Sequence, residues 1–151
     1  MKKIFIVVSL VVLIVNIIAC GENKTVEQYL ASANKYRLDD NFSSAVIELK
    51  HAVRIAPKHA DARLFLGQAY LRQGHYINAE KELERALSLG IDFFVLVADL
   101  VQVKTKLNKA AEVYQLVQQS HQLSDENFII VLTFAGIAAL YEDDFTKAQD
   151  Y

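Results

Sequence analysis

"ARLFLGQAYLRQGHYINAEKELERAL" runs from Ala62 to Leu87 and decides the fold. Leu66, Gly67 and Tyr70 share one side of a helix-period pattern, and Ala79, Leu83 and Ala86 repeat it at steps of four and three. Gly74-His75 interrupts the two stripes, so the stretch predicts two helices joined by a tight turn. Gly67 and Ala79 are small enough to let the pair approach closely, with Tyr70 filling the space beside them. Gly90 follows as a left-handed helix cap.

The same design appears upstream. Tyr29, Ala33 and Tyr36 form one stripe, Asp39-Asp40-Asn41 breaks it, and Ala45, Leu49 and Ala52 form the next. Thr25 and Gln28 make a capping-box pattern at the start, and Pro57 stands where the second helix must have ended. Three columns then recur along the chain: Ala33, Gly67, Ala98 and Gly136; Phe42, Tyr76, Leu107 and Phe145; Ala45, Ala79, Ala110 and Ala148. Every column steps by 34, 31 and 38 residues. A single hairpin cannot bury both of its faces, so such units must stack.

The spacing resembles the tetratricopeptide repeat, through Leu66, Gly67, Tyr70, Gly74, Tyr76, Ala79 and Ala86 in the second unit and Tyr36, Phe42, Ala45, Ala52 and Pro57 in the first. The third unit reads as degenerate, with Val101 in place of the tyrosine and Val117 in place of the late alanine. The fourth matches through Gly136, Phe145 and Ala148. The resemblance implies an all-α, right-handed solenoid of helix hairpins over residues 26–151. Its units fall at about 26–59, 60–90, 91–128 and an incomplete 129–151. The stop at Tyr151, inside a second helix, predicts a fragment of a longer array, because a solenoid normally ends in a polar cap.

The first nineteen residues have a different chemistry. Met1-Lys2-Lys3 is a basic start, and Ile4 to Ile18 is apolar except for Ser9 and Asn16. This layout is that of a secretory signal helix, and its length also reaches the lower limit for an uncleaved membrane anchor. Ile17-Ile18-Ala19-Cys20-Gly21 resembles a bacterial lipobox, which implies acylation of Cys20, cleavage before it, and a lipid-anchored chain facing the periplasm. Gly21, where inner-membrane lipoproteins often carry Asp, implies the outer membrane by the same resemblance. The alternative is a cysteine at a signal end cut elsewhere. Residues 20–25 then form a short tether. Cys20 is the chain's only cysteine, so no internal disulfide staples the domain.

Charge narrows the partners. Removing residues 1–19 takes away two lysines and no acid, which moves the formal charge from −2 to −4. A general nucleic-acid surface needs a basic face, so none is expected. No pattern for catalysis, cofactor, metal or small-molecule substrate stands out. His51, His59, His75 and His121 never fall at metal-ligand steps and read as solvated surface. Glu80, Glu82 and Glu84, interleaved with Lys81 and Arg85, read as a solvated helix face.

What remains is an interaction surface. In the tetratricopeptide class the first helix of each unit lines a groove. The matching positions are Leu30, Asn34, Arg37 and Leu38, then Leu64, Gln68, Leu71 and Arg72, then Val95, Asp99, Gln102 and Val103. Apolar and amide-bearing side chains together suit an extended protein or peptide ligand, whose backbone needs donors and acceptors; plain solvation is the alternative. The subclass that grips a terminal carboxylate needs a lysine where Leu30 stands, so that role is not expected.

The runs at Ala45–Lys50 and Ala79–Leu83 also resemble the start of the tetratricopeptide-repeat lipoproteins of PEP-CTERM/exosortase systems. That likeness implies a non-enzymatic scaffold in surface-protein sorting or exopolysaccharide export. A pilotin-like lipoprotein that helps assemble an outer-membrane pore, and an accessory regulator of an envelope enzyme, are the competing readings.

Overall fold

The structure is a computed structural model that describes residues 24–120 and 125–141. The signal helix, the lipobox with Cys20, His121, Phe145 and Ala148 lie outside the described residues. Among the described residues the chain forms seven helices and no strand: α1 (Val26–Leu38), α2 (Phe42–Ile55), α3 (Ala60–Arg72), α4 (Tyr76–Ser88), α5 (Phe93–Lys106), α6 (Ala110–Gln119) and α7 (Asp125–Tyr141). None of them is long and apolar enough to cross a membrane.

Short side chains start the helices. Thr25 and Gln28 close a reciprocal capping box on α1, with the Thr25 backbone N–H donating to Gln28 Oε1 at 2.8 Å. Asn41 Oδ1 accepts from the Ser44 N–H, and Asp92 Oδ1 from the Phe94 N–H. His59 is a cap as well, its Nδ1 accepting from the Ala62 N–H at 3.3 Å. Each such bond satisfies a helix-end donor that has no partner inside the helix.

The turn inside each hairpin is one motif used three times. Asp40, Gly74 and Asn108 have φ of 52°, 74° and 56°, each two residues before the second helix of its unit. The next N–H bonds back across the turn: Asn41 to the Tyr36 carbonyl, His75 to that of Tyr70, and Lys109 to that of Lys104, at 2.8–2.9 Å. This is the left-handed helix stop with its six-residue closing bond. Asn and Asp tolerate the left-handed region almost as glycine does, which is why no glycine is needed in the first and third turns. Gly90, at φ 101°, closes α4 in the same way through the Ile91 N–H and the Ala86 carbonyl.

These turns correct the repeat register. The motif recurs every 34 residues, from Asp40 to Gly74 to Asn108, so the steps of 31 and 38 are displaced. The buried small-residue column is Ala33, Gly67, Val101 and Ala135, rather than one through Ala98 and Gly136, both of which are only half-buried. On the second helices the columns are Ala45, Ala79 and Val113; Leu49, Leu83 and Val117; and Ala52, Ala86 and Ser120, all buried. Lys104, not Val101, stands in the tyrosine position of the third unit, and Ser120, not Val117, in that of the late alanine. The displaced register looked plausible because a slip of three residues rotates a helix face by only about 60°. Ala98, Leu107 and Ala110 also happen to have the residue types of the earlier columns.

The core is a row of three clusters, each made by the two helices of one unit and the first helix of the next. Leu66 and Ala69 of α3 pack back onto Ala33, Ala45 and Leu49. Leu64 and Leu71 of the same helix pack forward with Leu83, Leu96 and Leu100. On α5, Leu96 and Leu100 face back while Val97 and Val101 join Val113, Val131 and Ala135. The inner first helices, α3 and α5, therefore have two apolar sides and leave one side for function. The hairpin is tightest in the second unit, where a Cβ on Gly67 would lie 2.7 Å from Leu83 Cγ and 3.1 Å from Leu83 N.

Candidate peptide-binding cleft

The free side of the first helices carries the residues singled out in the sequence. Arg37 of α1, Gln68, Leu71 and Arg72 of α3, Asp99 of α5 and Phe42 of α2 line a cavity of about 110 Å³. Asn34, Arg37, Leu38, Asp40, Phe42 and Arg72 line an adjoining cleft of about 370 Å³. Five of the six predicted groove residues thus come together across three units. Gln102 lines neither cavity; it is half-buried one repeat beyond Gln68.

Hydrogen bonding and stacking fix several of these groups. Gln68 Nε2 donates to Asp99 Oδ2 at 2.8 Å and so joins α3 to α5. Burial pushes the Asp99 carboxyl above its usual 3.8, against the opposing influence of Gln68 and of the Arg72 and Arg37 charges. The Arg37 guanidinium lies 5.1 Å from the centre of the Phe65 ring, in cation–π range. Arg72 is exposed. The surface is therefore a polar floor with two guanidiniums and an aromatic edge.

Some expected groove residues are elsewhere. Leu64 and Val103 are core residues facing the next unit, and Leu71 is mostly buried although it edges the smaller cavity. Leu38 and Val95 are exposed, at 78% and 60%. The sequence did not reveal Phe42 as part of the cleft, or Phe65 as the ring beneath Arg37. In the sequence Phe42 stands only in the large-apolar repeat column; as the first residue of α2 it lines both cavities beside Arg37 and Arg72.

The acidic run on α4 is also corrected. Glu84, Lys81 and Arg85 are exposed, but Glu80 and Glu82 point inward, Glu82 toward Arg63 of α3 and Glu80 toward Lys104 of α5 and Lys109. Arg63 Nη1 donates to Glu82 Oε2 at 2.6 Å, while its Nε and Nη2 both donate to the Pro57 carbonyl. Glu80 takes Lys104 Nζ at 2.8 Å and Lys109 Nζ at 2.8 and 2.9 Å. Oxygens of Glu80, Glu84 and Glu112 lie within 4.8 Å of one another, a spacing that would suit a cation. Lys104 Nζ occupies that position, so the trio holds an ammonium group rather than a metal. The histidines have structural partners too: His51 stacks on Tyr29 at 5.3 Å, and His75 lies 6.0 Å from Tyr70.

Comparison with known proteins agrees with this architecture. Residues 36–90 match the family described as Tetratricopeptide repeat. Over 108 residues, 67% of the chain, the protein is 31% identical to Superkiller protein 3 of Schizosaccharomyces pombe. The chain spans 8% of that relative's length, so the likeness speaks to the repeat and not to the relative's activity.

Proposed function

Because the chain is an all-α solenoid of tetratricopeptide repeats, we propose that it is a scaffold that binds an extended protein segment along its first helices. The observation that carries this is that Asn34, Gln68 and Gln102 hold one position in three successive units, and that Asn34 and Gln68 line the cavities walled by Arg37, Phe42 and Arg72. An amide offers both a donor and an acceptor, which is what an extended backbone needs at regular intervals. A photo-crosslinker in place of Gln68 should capture a protein partner. The same label on exposed Lys81 of α4 should not, and equal capture at both would overturn the assignment of the face.

The N-terminal layout supports a second part of the proposal, a lipid anchor at Cys20 that holds the scaffold at a bacterial envelope membrane, facing the periplasm. Two or more acyl chains make such an anchor stable, where one chain binds only marginally and reversibly. Cys20→Ser should release the folded protein from the membrane fraction and abolish labelling by a fatty-acid probe. Retention of the variant in membranes would assign the anchor to the apolar segment instead. The likeness of Ala45–Lys50 and Ala79–Leu83 to PEP-CTERM/exosortase lipoproteins favours a role in surface-protein sorting or exopolysaccharide export. Neighbouring genes for an exosortase and glycosyltransferases would support that system, whereas a neighbouring secretin gene would point to pore assembly.

A further inference from the structure

The two cavities of the cleft share one wall. Arg37, Phe42 and Arg72 line both, whereas each aspartate lines one: Asp99 the smaller cavity and Asp40 the larger. Among the described residues neither guanidinium makes an ion pair or a hydrogen bond. The Arg37 guanidinium lies over the Phe65 ring, a contact that uses its face and not its N–H donors. Asp99 is the carboxylate best placed to neutralise them, but it is committed to Gln68 and reaches the arginines only through space. Asp40 is fixed in the left-handed turn that ends α1. Two forked donors without acceptors, beside the exposed Leu38 and the ring of Phe42, match a carboxylate next to an apolar side chain.

We propose that the Arg37–Phe42–Arg72 wall selects segments in which an aspartate or glutamate side chain neighbours a large apolar residue. This rests on the peptide-binding function proposed above and adds the chemistry of the ligand. The carboxylate belongs to a side chain inside the segment and not to its end. The amide position recurs in the third unit at Gln102, one repeat beyond Gln68 and Arg72, so a bound chain can run on past the arginines.

The test uses the full chain and fluorescence anisotropy with three short peptides. The first carries two glutamates between leucines and is capped at both ends. The second is the same with glutamines. The third is the glutamine peptide with a free C-terminal carboxylate. The first should bind at least about tenfold more tightly than the second, and Arg37→Lys with Arg72→Ala should remove that preference with an unchanged thermal unfolding profile. Asp99→Asn, which removes the opposing charge, should tighten binding of the first peptide. Equal binding of the first two peptides would overturn the selectivity while leaving the peptide-binding groove intact. If neither bound, both proposals would fall. Preference for the third would move recognition to the chain end. Arginine-dependent binding to phosphatidylglycerol vesicles without peptide binding would replace the peptide by a membrane surface. Tighter binding after loss of the arginines would reverse the sign of the ligand.

Discussion

Lys104 Nζ lies 2.8 Å from Glu80 Oε1, at the place in the third unit that Tyr36 and Tyr70 hold in the first two. A nearly buried ammonium of α5 thus replaces a phenol, and α4 and α6 supply its carboxylates. Glu80 and Glu84 come from α4, and Glu112 from α6. Lys109 adds a second cation on Glu80. The junction between the second and third units is therefore ionic on one side and apolar on the other.

Removing Lys104 takes the central cation from three carboxylates and leaves the nearly buried Glu80 with Lys109 alone. Lys104→Met should destabilise the chain by about 3 kcal/mol, read from urea unfolding. Glu80→Gln in the same background should cost less than it does alone, since its main partner has already gone. Additive costs would show that Lys104 contributes packing and not charge.

Acidification should weaken this junction. Burial would raise the Glu80 carboxyl, but Lys104 and Lys109 outweigh it and hold it below its usual 4.5. Lys104 likewise lowers Glu112. A carboxyl depressed in the folded state contributes stability that is present above the unfolded value and lost as pH falls through the folded one. Stability should thus decline below about pH 4.5, and Glu80→Gln should flatten that decline. On the alkaline side, burial opposes the Lys104 charge but the three carboxylates raise it above 10.5. Its contribution should be complete below 10.5 and be lost only as pH rises through that raised value.

Asp99 works in the opposite sense. Burial raises its carboxyl above 3.8, so the charged form costs stability once pH passes the unfolded value. Asp99→Asn keeps an acceptor for Gln68 and should make the protein more stable at pH 7 than at pH 3, relative to the parent chain. A destabilised variant at pH 7 would show that the arginines outweigh burial.

Gly67→Ala should destabilise by about 1–3 kcal/mol although alanine is the better helix former. The added methyl meets the Leu83 side chain at 2.7 Å and the Leu83 backbone N at 3.1 Å, so a rotamer change alone cannot relieve it. Urea unfolding of Gly67→Ala with and without Leu83→Val should be non-additive, because the smaller side chain removes the nearest clash.

Arg63 ties the α2–α3 linker to α4 through the Pro57 carbonyl and Glu82. Lysine cannot present that fork. Arg63→Lys should cost about 1–2 kcal/mol and increase hydrogen exchange at His59 and Ala62. Unchanged exchange there would limit the role of Arg63 to its pair with Glu82.

The sequence by itself determined that the chain is a stack of helix hairpins and which side of each first helix is polar. Alternating stripes, the Thr25 box, Pro57 and Gly74 are local signals, and local signals set helices and turns. Asn34, Arg37, Gln68, Arg72 and Asp99 were legible through the resemblance to the tetratricopeptide repeat, whose groove-lining positions they match. Tertiary structure decided what local pattern leaves degenerate. The 34-residue register of the third unit depends on the left-handed turn at Asn108, and a three-residue slip keeps nearly the same face outward. The inward turn of Glu80 and Glu82 was decided there too. A charged residue on α4 reads as solvated until α3, α5 and α6 bring Arg63, Lys104 and Lys109 within 3 Å of it.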